Sequence, residues 1–136
     1  MASTLEPIRS VALIRRVSGP LLRRAGIFGV LEVPRRRTGT AQICSLFMVK
    51  VAGELYVVAL GGETDWALNL RAAGRAVLMR GTKRVACSAT EVMGEERDRA
   101  IAAYLGSFPP LKRDYNRRPE AQHHPTFRLE PVKPGP

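Results

Sequence analysis

The chain has 136 residues, and its 22 lysines and arginines outnumber 12 acidic residues to give a formal net charge of +10. A hydrophobic content of 45% excludes a disordered chain, and the length suits one domain. No apolar run approaches the roughly 20 residues of a membrane-spanning helix, and arginines interrupt the N-terminal apolar stretch where a secretory signal would be continuous. We therefore expect a cytoplasmic protein. Nucleic acid, an acidic membrane surface and a phosphorylated ligand all fit the charge.

Cysteines and histidines show no metal-binding pattern. Cys44 and Cys87 each fall in an apolar, strand-like run, so we predict that both are small buried core residues without a disulfide. His123 and His124 are adjacent, and no cysteine or carboxylate cluster lies near them in the sequence. We expect both histidines to be solvated, and we predict no metal site.

The first 25 residues are basic and amphipathic. "LEPIRSVALIRRVSGPLLRRA" mixes aliphatic residues with paired arginines, which predicts an N-terminal helix interrupted at Gly19-Pro20. The segment either packs on the rest of the protein with its arginines solvated, or makes peripheral contact with an anionic membrane at its inner face. We place the domain boundaries at 1–25 for this segment, 26–132 for the main domain and 133–136 for a disordered tail.

From Gly29 onward the pattern is that of β-structure. "VLEV" at 30–33 is a short strand, and "PRRRTGTA" after it is a turn. Ala52-Gly53 and Gly81-Thr82 each separate two apolar runs and predict hairpins. The later predicted strands are "QICSLFMVKV", "ELYVVAL", "RAVLMR", "KRVACSATEV" and "PTFRLEPV".

Two helices are predicted among these strands. One begins near Asp65, and the other is "GEERDRAIAAYL", which has an acidic first turn and an apolar face. About six short strands with an N-terminal helix and two further short helices predict a mainly β (α+β) fold, a small antiparallel barrel. The second and third strands are apolar on both faces, so a helix or a second subunit should cover them outside.

Two glycine-containing stretches are candidate binding sites. "PRRRTG" crowds three arginines between strands, which suits a phosphate or carboxylate; the alternative is a solvated basic turn. "ALGGETDW" places glycine N–H groups and the only tryptophan, Trp66, at a helix N-terminus, which suits a phosphate or a polar ring edge. The alternative is a plain connection in which Thr64 or Asp65 caps the helix and Trp66 serves the core.

A third stretch, "YLGSFPPLKRDYNRR", is rich in aromatic residues. We predict a stiff loop that either walls a pocket or lies on the surface with its aromatics tucked in. The sequence contains no Ser-His-Asp set, no paired carboxylates and no Cys-His pair, which favours chemistry carried by a cofactor. Aromatic residues are only 6% of the chain, which argues against nucleic acid as a partner.

The order of these motifs resembles the deazaflavin-dependent nitroreductase family. The resemblance rests on the arginine turn, the apolar hairpin, "GGETDWALNLRAAG" and "AVLMRGTKRVACSATEV", and it spans about residues 25 to 132. Proteins of this family are split β-barrels that use coenzyme F-420, an 8-hydroxy-5-deazaflavin. The resemblance therefore implies a split-barrel cofactor-binding domain at 26–132 with F-420 as its cofactor.

The resemblance also implies roles for single residues. The arginine turn would bind the cofactor's phosphate and acidic tail, the loop from Ala59 to Gly62 would run along the deazaflavin, and Trp66 would flank it. Tyr115 resembles a substrate-pocket tyrosine and is the implied catalytic residue, with Tyr115 or solvent as the source of the product's proton. The implied cofactor-binding residues are Arg36, Arg37, Thr38, Gly39, Gln42, Ala59, Leu60, Gly61, Gly62, Trp66 and Asn69.

We expect, on this resemblance, an oxidoreductase that transfers a hydride from reduced F-420 to a small-molecule electron acceptor: a quinone, an enone or a nitro compound. An FMN-binding split-barrel oxidoreductase is the alternative, because the phosphate of FMN would also suit the arginines. A non-catalytic deazaflavin-binding or membrane-surface module is a further alternative. The expected oligomeric state is monomer or homodimer.

Overall fold

The computed structural model describes residues 26–117 and 119–132. The predicted N-terminal helix and membrane contact of residues 1–25, and the predicted tail at 133–136, lie outside these residues. Within the described ranges, no helix is both long enough and apolar enough to cross a bilayer.

Six antiparallel strands form a closed barrel, in the spatial order β1-β2-β3-β6-β5-β4. The predicted barrel is therefore confirmed. The strands are β1 Gly26–Pro34, β2 Ala41–Val51, β3 Glu54–Val58, β4 Arg75–Arg80, β5 Lys83–Glu91 and β6 Thr126–Pro131. β1 begins earlier than the predicted "VLEV" because β2 is 11 residues long and pairs with β1 as far back as Gly26.

Both predicted hairpins are present. Ala52 (φ 51°) and Gly53 (φ 84°) connect β2 to β3, and both have positive φ, as the tight turn of a two-residue hairpin requires. Gly81-Thr82 connects β4 to β5, with Arg80 paired to Lys83 on either side.

The helices are α1 Asp65–Ala73, α2 Gly94–Ser107 and α3 Lys112–Asn116, with 3-10 turns at Pro109–Leu111 and Ala121–His123. The prediction of a stiff loop after α2 was wrong, because residues 106–117 are mostly helical. Tyr104 and Phe108 are 4% and 0% exposed, so they are core residues. The ring of Phe108 lies 4.3 Å from that of Phe47, centroid to centroid, and this packing fixes the end of α2.

The core has two parts, which follow from the alternation of side chains along the strands. The barrel interior holds Cys44 and Cys87, buried as predicted, together with Phe127 and Leu129 of β6. Ala67 and Leu70 of α1 are completely buried against this interior.

The second part of the core lies outside the barrel, between α2 and the outer faces of β2 and β3. Phe47, Val49 and Tyr56 of the strands pack there with Ile101 and Tyr104 of α2. A helix of the same chain therefore covers the strands that are apolar on both faces.

Candidate cofactor site

One end of the barrel gathers the glycine-containing stretches. β1 ends and β2 begins there, with Pro34 paired to Ala41, and at the same end β3 stops where Val58 pairs with Thr126 of β6. The arginine turn (residues 35–40) and the glycine loop (residues 59–64) therefore lie at the same end of the barrel, although they are well separated in sequence. Helix α1 follows the glycine loop and contacts β1, β4 and β5.

The arginine turn is held by its own hydrogen bonds. The Gly39 N–H donates to Arg35 O and the Arg35 N–H to Thr40 O, both at 2.8 Å. Gly39 adopts φ 77°, and a Cβ there would have no atom within 4 Å, so its backbone is open to an incoming group. The Arg35 guanidinium donates to Ala41 O at 2.7 Å, which ties that side chain to the turn.

Arg36 joins the turn to α1 through Asn69. Both its backbone N–H (3.1 Å) and its Nη1 (2.7 Å) donate to Asn69 Oδ1. The Asn69 side-chain amide donates in turn to Gln42 Oε1 at 2.8 Å. Asn69 is only 3% exposed, so its polar atoms are used to fix its neighbours. Arg36 also lies 3.4 Å from the exposed carboxylate of Asp65.

The arrangement leaves the remaining residues of the turn facing solvent. Arg37 and Thr38 are exposed, and the Thr38 hydroxyl lies 2.8 Å from that of Thr40. Guanidinium groups and hydroxyls around an open glycine backbone form a donor set suited to a phosphate or carboxylate.

The glycine loop is a compact turn. The Ala59 N–H donates to Pro125 O (2.8 Å), and the Gly62 N–H donates back to Ala59 O (3.1 Å). Gly62 has φ 87° and is buried, whereas Gly61 is exposed. Leu60 is half-buried and packs on the outer part of the core. The exposed Gly61 offers a stretch of backbone without a side chain, on which a flat ring can lie.

Helix α1 begins directly after this loop. Thr64 has the extended backbone of an N-cap, but its side chain makes no capping hydrogen bond, so the predicted side-chain cap at Thr64 is absent. Thr64 Oγ1 is buried, and it finds no hydrogen-bond partner within the described ranges. Arg71 of α1 forms two ion pairs. Its guanidinium nitrogens lie 2.6 Å from a carboxylate oxygen of Glu63 and 2.7 Å from one of Glu91. These carboxylates raise the pKa of Arg71.

Trp66 is half-buried in the first turn of α1. Its ring packs against the barrel interior, 6.3 Å from the ring of Phe127 between centroids. The core role considered for Trp66 is therefore part of its environment, although the residue is not fully buried.

The structure places Tyr115 beside His124. Their rings lie 4.7 Å apart at an interplanar angle of 30°, and the Tyr115 hydroxyl donates to Pro119 O at 3.1 Å. His124 is 1% exposed, so the prediction that it is solvated was wrong; His123 is exposed as predicted. No local pattern around His124 predicts this burial, because the groups that contact it belong to α3 and to the residue that follows β3.

The residues expected from the sequence therefore fall into three adjacent groups. The arginine turn with Gln42 and Asn69 is one, the glycine loop with Trp66 is the second, and Tyr115 is the third. Their chemistry fits F-420: exposed guanidinium groups suit an anionic tail, and a bare backbone beside a tryptophan suits a flat ring. Among the described residues, no group of three or more His, Cys, Asp or Glu side chains is placed to hold a metal ion.

Comparison with known families gives one match in sequence. A family model described as F420H2-dependent quinone reductase matches residues 9–121 of the chain. No curated protein is significantly similar to the chain in sequence.

Solved structures share the fold. An F-420-H2 dependent reductase, FDR-A, is 21% identical with a TM-score of 0.64; the match covers 76% of this chain and 93% of that one. HutZ, a heme storage protein from Vibrio cholerae, is 15% identical with a TM-score of 0.62 and coverages of 93% and 90%. A FAD-binding protein from Mesorhizobium loti is 15% identical, with a TM-score of 0.54 and coverages of 87% and 88%. At these identities, the likeness establishes the barrel fold alone.

Proposed function

Because the chain belongs to the family of F420H2-dependent quinone reductases, and is therefore an F-420-dependent reductase, we propose that a quinone is its acceptor and that the barrel end described above is its cofactor site. Enones and nitro compounds are the other activated acceptors that the same reaction would serve. Bound in its reduced form, F-420 supplies the hydride.

One observation carries the assignment of the site. Asn69 connects Arg36 to α1, and α1 starts directly behind the glycine loop, so the basic turn and the loop belong to one hydrogen-bonded unit. An anionic tail held at Arg36 and Arg37 would thus fix where a ring lies along Gly61 and Trp66. Such fixed orientation is how a protein without reactive side chains of its own accelerates a transfer.

The remaining roles proposed for this chain concern water and the proton. Trp66 and the glycine loop shield the ring from solvent on one side, which limits loss of the hydride to water. Tyr115 would hold the proton for the reduced product at its hydroxyl oxygen. Tyr115 is half-buried and the hydrogen bond of its hydroxyl to Pro119 O is exposed, so the hydroxyl can exchange this bond for one to an acceptor.

Fluorescence titration tests the site, because Trp66 is the single tryptophan. F-420 should quench its emission saturably, while FMN at equal concentration should quench far less. Saturable quenching by FMN alone would move the protein to the flavin-binding alternative. The absence of saturable quenching by F-420 would refute the proposed site.

Turnover with reduced F-420 tests the acceptor. A quinone, an enone and a nitroaromatic compound of similar size are compared by kcat/KM under identical conditions, following the oxidation of F-420 by absorbance. The quinone should give the highest value. A higher value for either of the other two would reject the quinone assignment while leaving the cofactor site standing.

A further inference from the structure

We propose that His124 is a positioning residue that fixes the loop along which the deazaflavin ring would lie, and that it couples this loop to Tyr115. The inference rests on the proposed cofactor site for its functional meaning, but its structural content concerns the protein alone.

The first observation is that His124 and its neighbour hold both backbone groups of Ala59. The His124 Nδ1 lies 3.4 Å from Ala59 O, and the Ala59 N–H donates to Pro125 O at 2.8 Å. A carbonyl oxygen accepts only, so a hydrogen bond here requires the tautomer that carries its proton on Nδ1. Ala59 is the residue at which β3 passes into the glycine loop.

The second observation is that His124 is itself firmly held. It is 1% exposed, and its carbonyl accepts a hydrogen bond from Thr126 Oγ1 at 2.9 Å. Thr126 is completely buried and pairs with Val58, the last residue of β3. The backbone of His124 is therefore fixed to the end of the barrel. Its imidazole can in turn restrain the position of Ala59.

The third observation is the contact with Tyr115, whose ring lies against the imidazole at 4.7 Å. One face of the His124 ring thus contacts Tyr115, the proposed proton donor. Its Nδ1 contacts Ala59 of the glycine loop, along which the deazaflavin ring would lie. A change at His124 should alter both, whereas a change at the exposed neighbour His123 should alter neither.

Two substitutions at His124 distinguish the effect of losing its hydrogen bond to Ala59 from the effect of changing its packing. His124→Leu fills most of the volume without a donor, whereas His124→Asn places an amide N–H near the position of Nδ1. His123→Asn is the matched control. The measurement is amide hydrogen exchange in the protein without cofactor, read at Ala59, Gly62 and Thr64, with Gly39 of the arginine turn as the internal reference.

His124→Leu should speed exchange at the loop amides by about tenfold relative to Gly39, the value expected when one hydrogen bond is lost. His124→Asn should bring the rates back to within about threefold of the original protein, because the donor is restored. Unchanged loop rates in His124→Leu, or equal rates in the Leu and Asn variants, would overturn the proposal.

Titration with F-420, followed by Trp66 fluorescence, then separates this inference from the proposed function. The Leu variant should bind F-420 several-fold more weakly than the Asn variant. Equal affinities of the two variants would refute the functional part of the proposal. If the unaltered protein itself did not bind F-420, the proposed cofactor site would fail, and the exchange rates would still decide whether His124 holds the loop.

Discussion

Arg36 and Asn69 form a double contact, because the backbone N–H and the guanidinium of Arg36 both donate to the same oxygen, Asn69 Oδ1, at 3.1 and 2.7 Å. One buried amide thereby sets both the path of the arginine turn and the direction of its side chain. The conformation of the arginine turn therefore depends on Asn69, a residue of α1.

Asn69→Ala tests this dependence. The substitution leaves donors of Arg36 and the Gln42 amide oxygen without their partner, so the free energy of unfolding should fall by about 1–3 kcal/mol. Affinity for F-420 should fall as well, because the turn loses its fixed position. Urea denaturation and Trp66 quenching measure the two effects. Asn116→Ala, at an exposed asparagine in α3, should change neither.

Arg37→Ala tests the electrostatic part of the proposed site. Arg37 is exposed, so its removal should leave the free energy of unfolding almost unchanged while weakening F-420 binding about tenfold or more. The effect should shrink in 0.5 M salt, which screens charges. Lys83→Ala removes the same charge at the opposite end of the barrel. An equal loss of affinity in both variants would indicate a general effect of net charge.

Gly62→Ala tests the conformation of the glycine loop. Gly62 has φ 87°, which an alanine adopts only at a cost, and its Cβ would approach His123 O at 3.5 Å. We expect a loss of about 1–2 kcal/mol in unfolding free energy. Gly61→Ala should cost less, since φ is not positive there; its Cβ would lie 3.0 Å from the Thr64 methyl group, which a small side-chain shift can relieve. Thermal melting of both variants gives the comparison.

Glu96 supplies a prediction about pH. Hydrogen bonds from Tyr56 and Arg128 hold the pKa of Glu96 below its usual value. A carboxyl with a lowered pKa in the folded state stabilises the protein above its unfolded pKa, and this contribution is lost as pH falls through the folded value. The unfolding free energy of Glu96→Gln should therefore lie below that of the original protein at pH 7, by no more than about 1 kcal/mol for this partly exposed group.

The pH dependence separates this effect from a general loss of packing. The difference between Glu96→Gln and the original protein should diminish as the pH is lowered below about 4. Urea denaturation at pH 7, 5 and 3 follows it. Glu95→Gln, at the exposed neighbouring position, serves as the control. A difference that stays constant with pH would contradict the assignment of Glu96.

Phe108→Ala tests whether the aromatic stretch belongs to the core. Phe108 is 0% exposed and packs against Phe47, so the variant should lose about 3–5 kcal/mol of unfolding free energy. Pro110→Ala, at an exposed position two residues on, should lose far less. If Phe108→Ala instead weakened F-420 binding without loss of stability, Phe108 would line the site.

The strands were predictable because their apolar alternation and hairpin glycines are local signals. Ala52-Gly53 shows this well: two residues with positive φ are what a tight hairpin demands. The start of β1 at Gly26 was not predictable. Its first residues are in the strand because they pair with the long strand β2, and they show little alternation of apolar residues of their own.

The candidate site was predictable in its parts and not in its connections. The arginines and glycines are visible in the sequence, but the bonds from Asn69 to Arg36 and from His124 to Ala59 join residues far apart in the chain. Thr64 illustrates the same limit, because its backbone has the extended conformation of a cap while its buried hydroxyl makes no capping hydrogen bond.

Closure of the barrel has a consequence for how the chain folds. Val57 of β3 pairs with Phe127 of β6, so the outer edge of β3 stays open until most of the described chain is present. Contacts between such distant segments form slowly, and an open strand edge is a template for aggregation in the meantime. Until β6 is in place this edge of β3 is unpaired, and a chain cut short before Thr126 would leave it exposed to other chains.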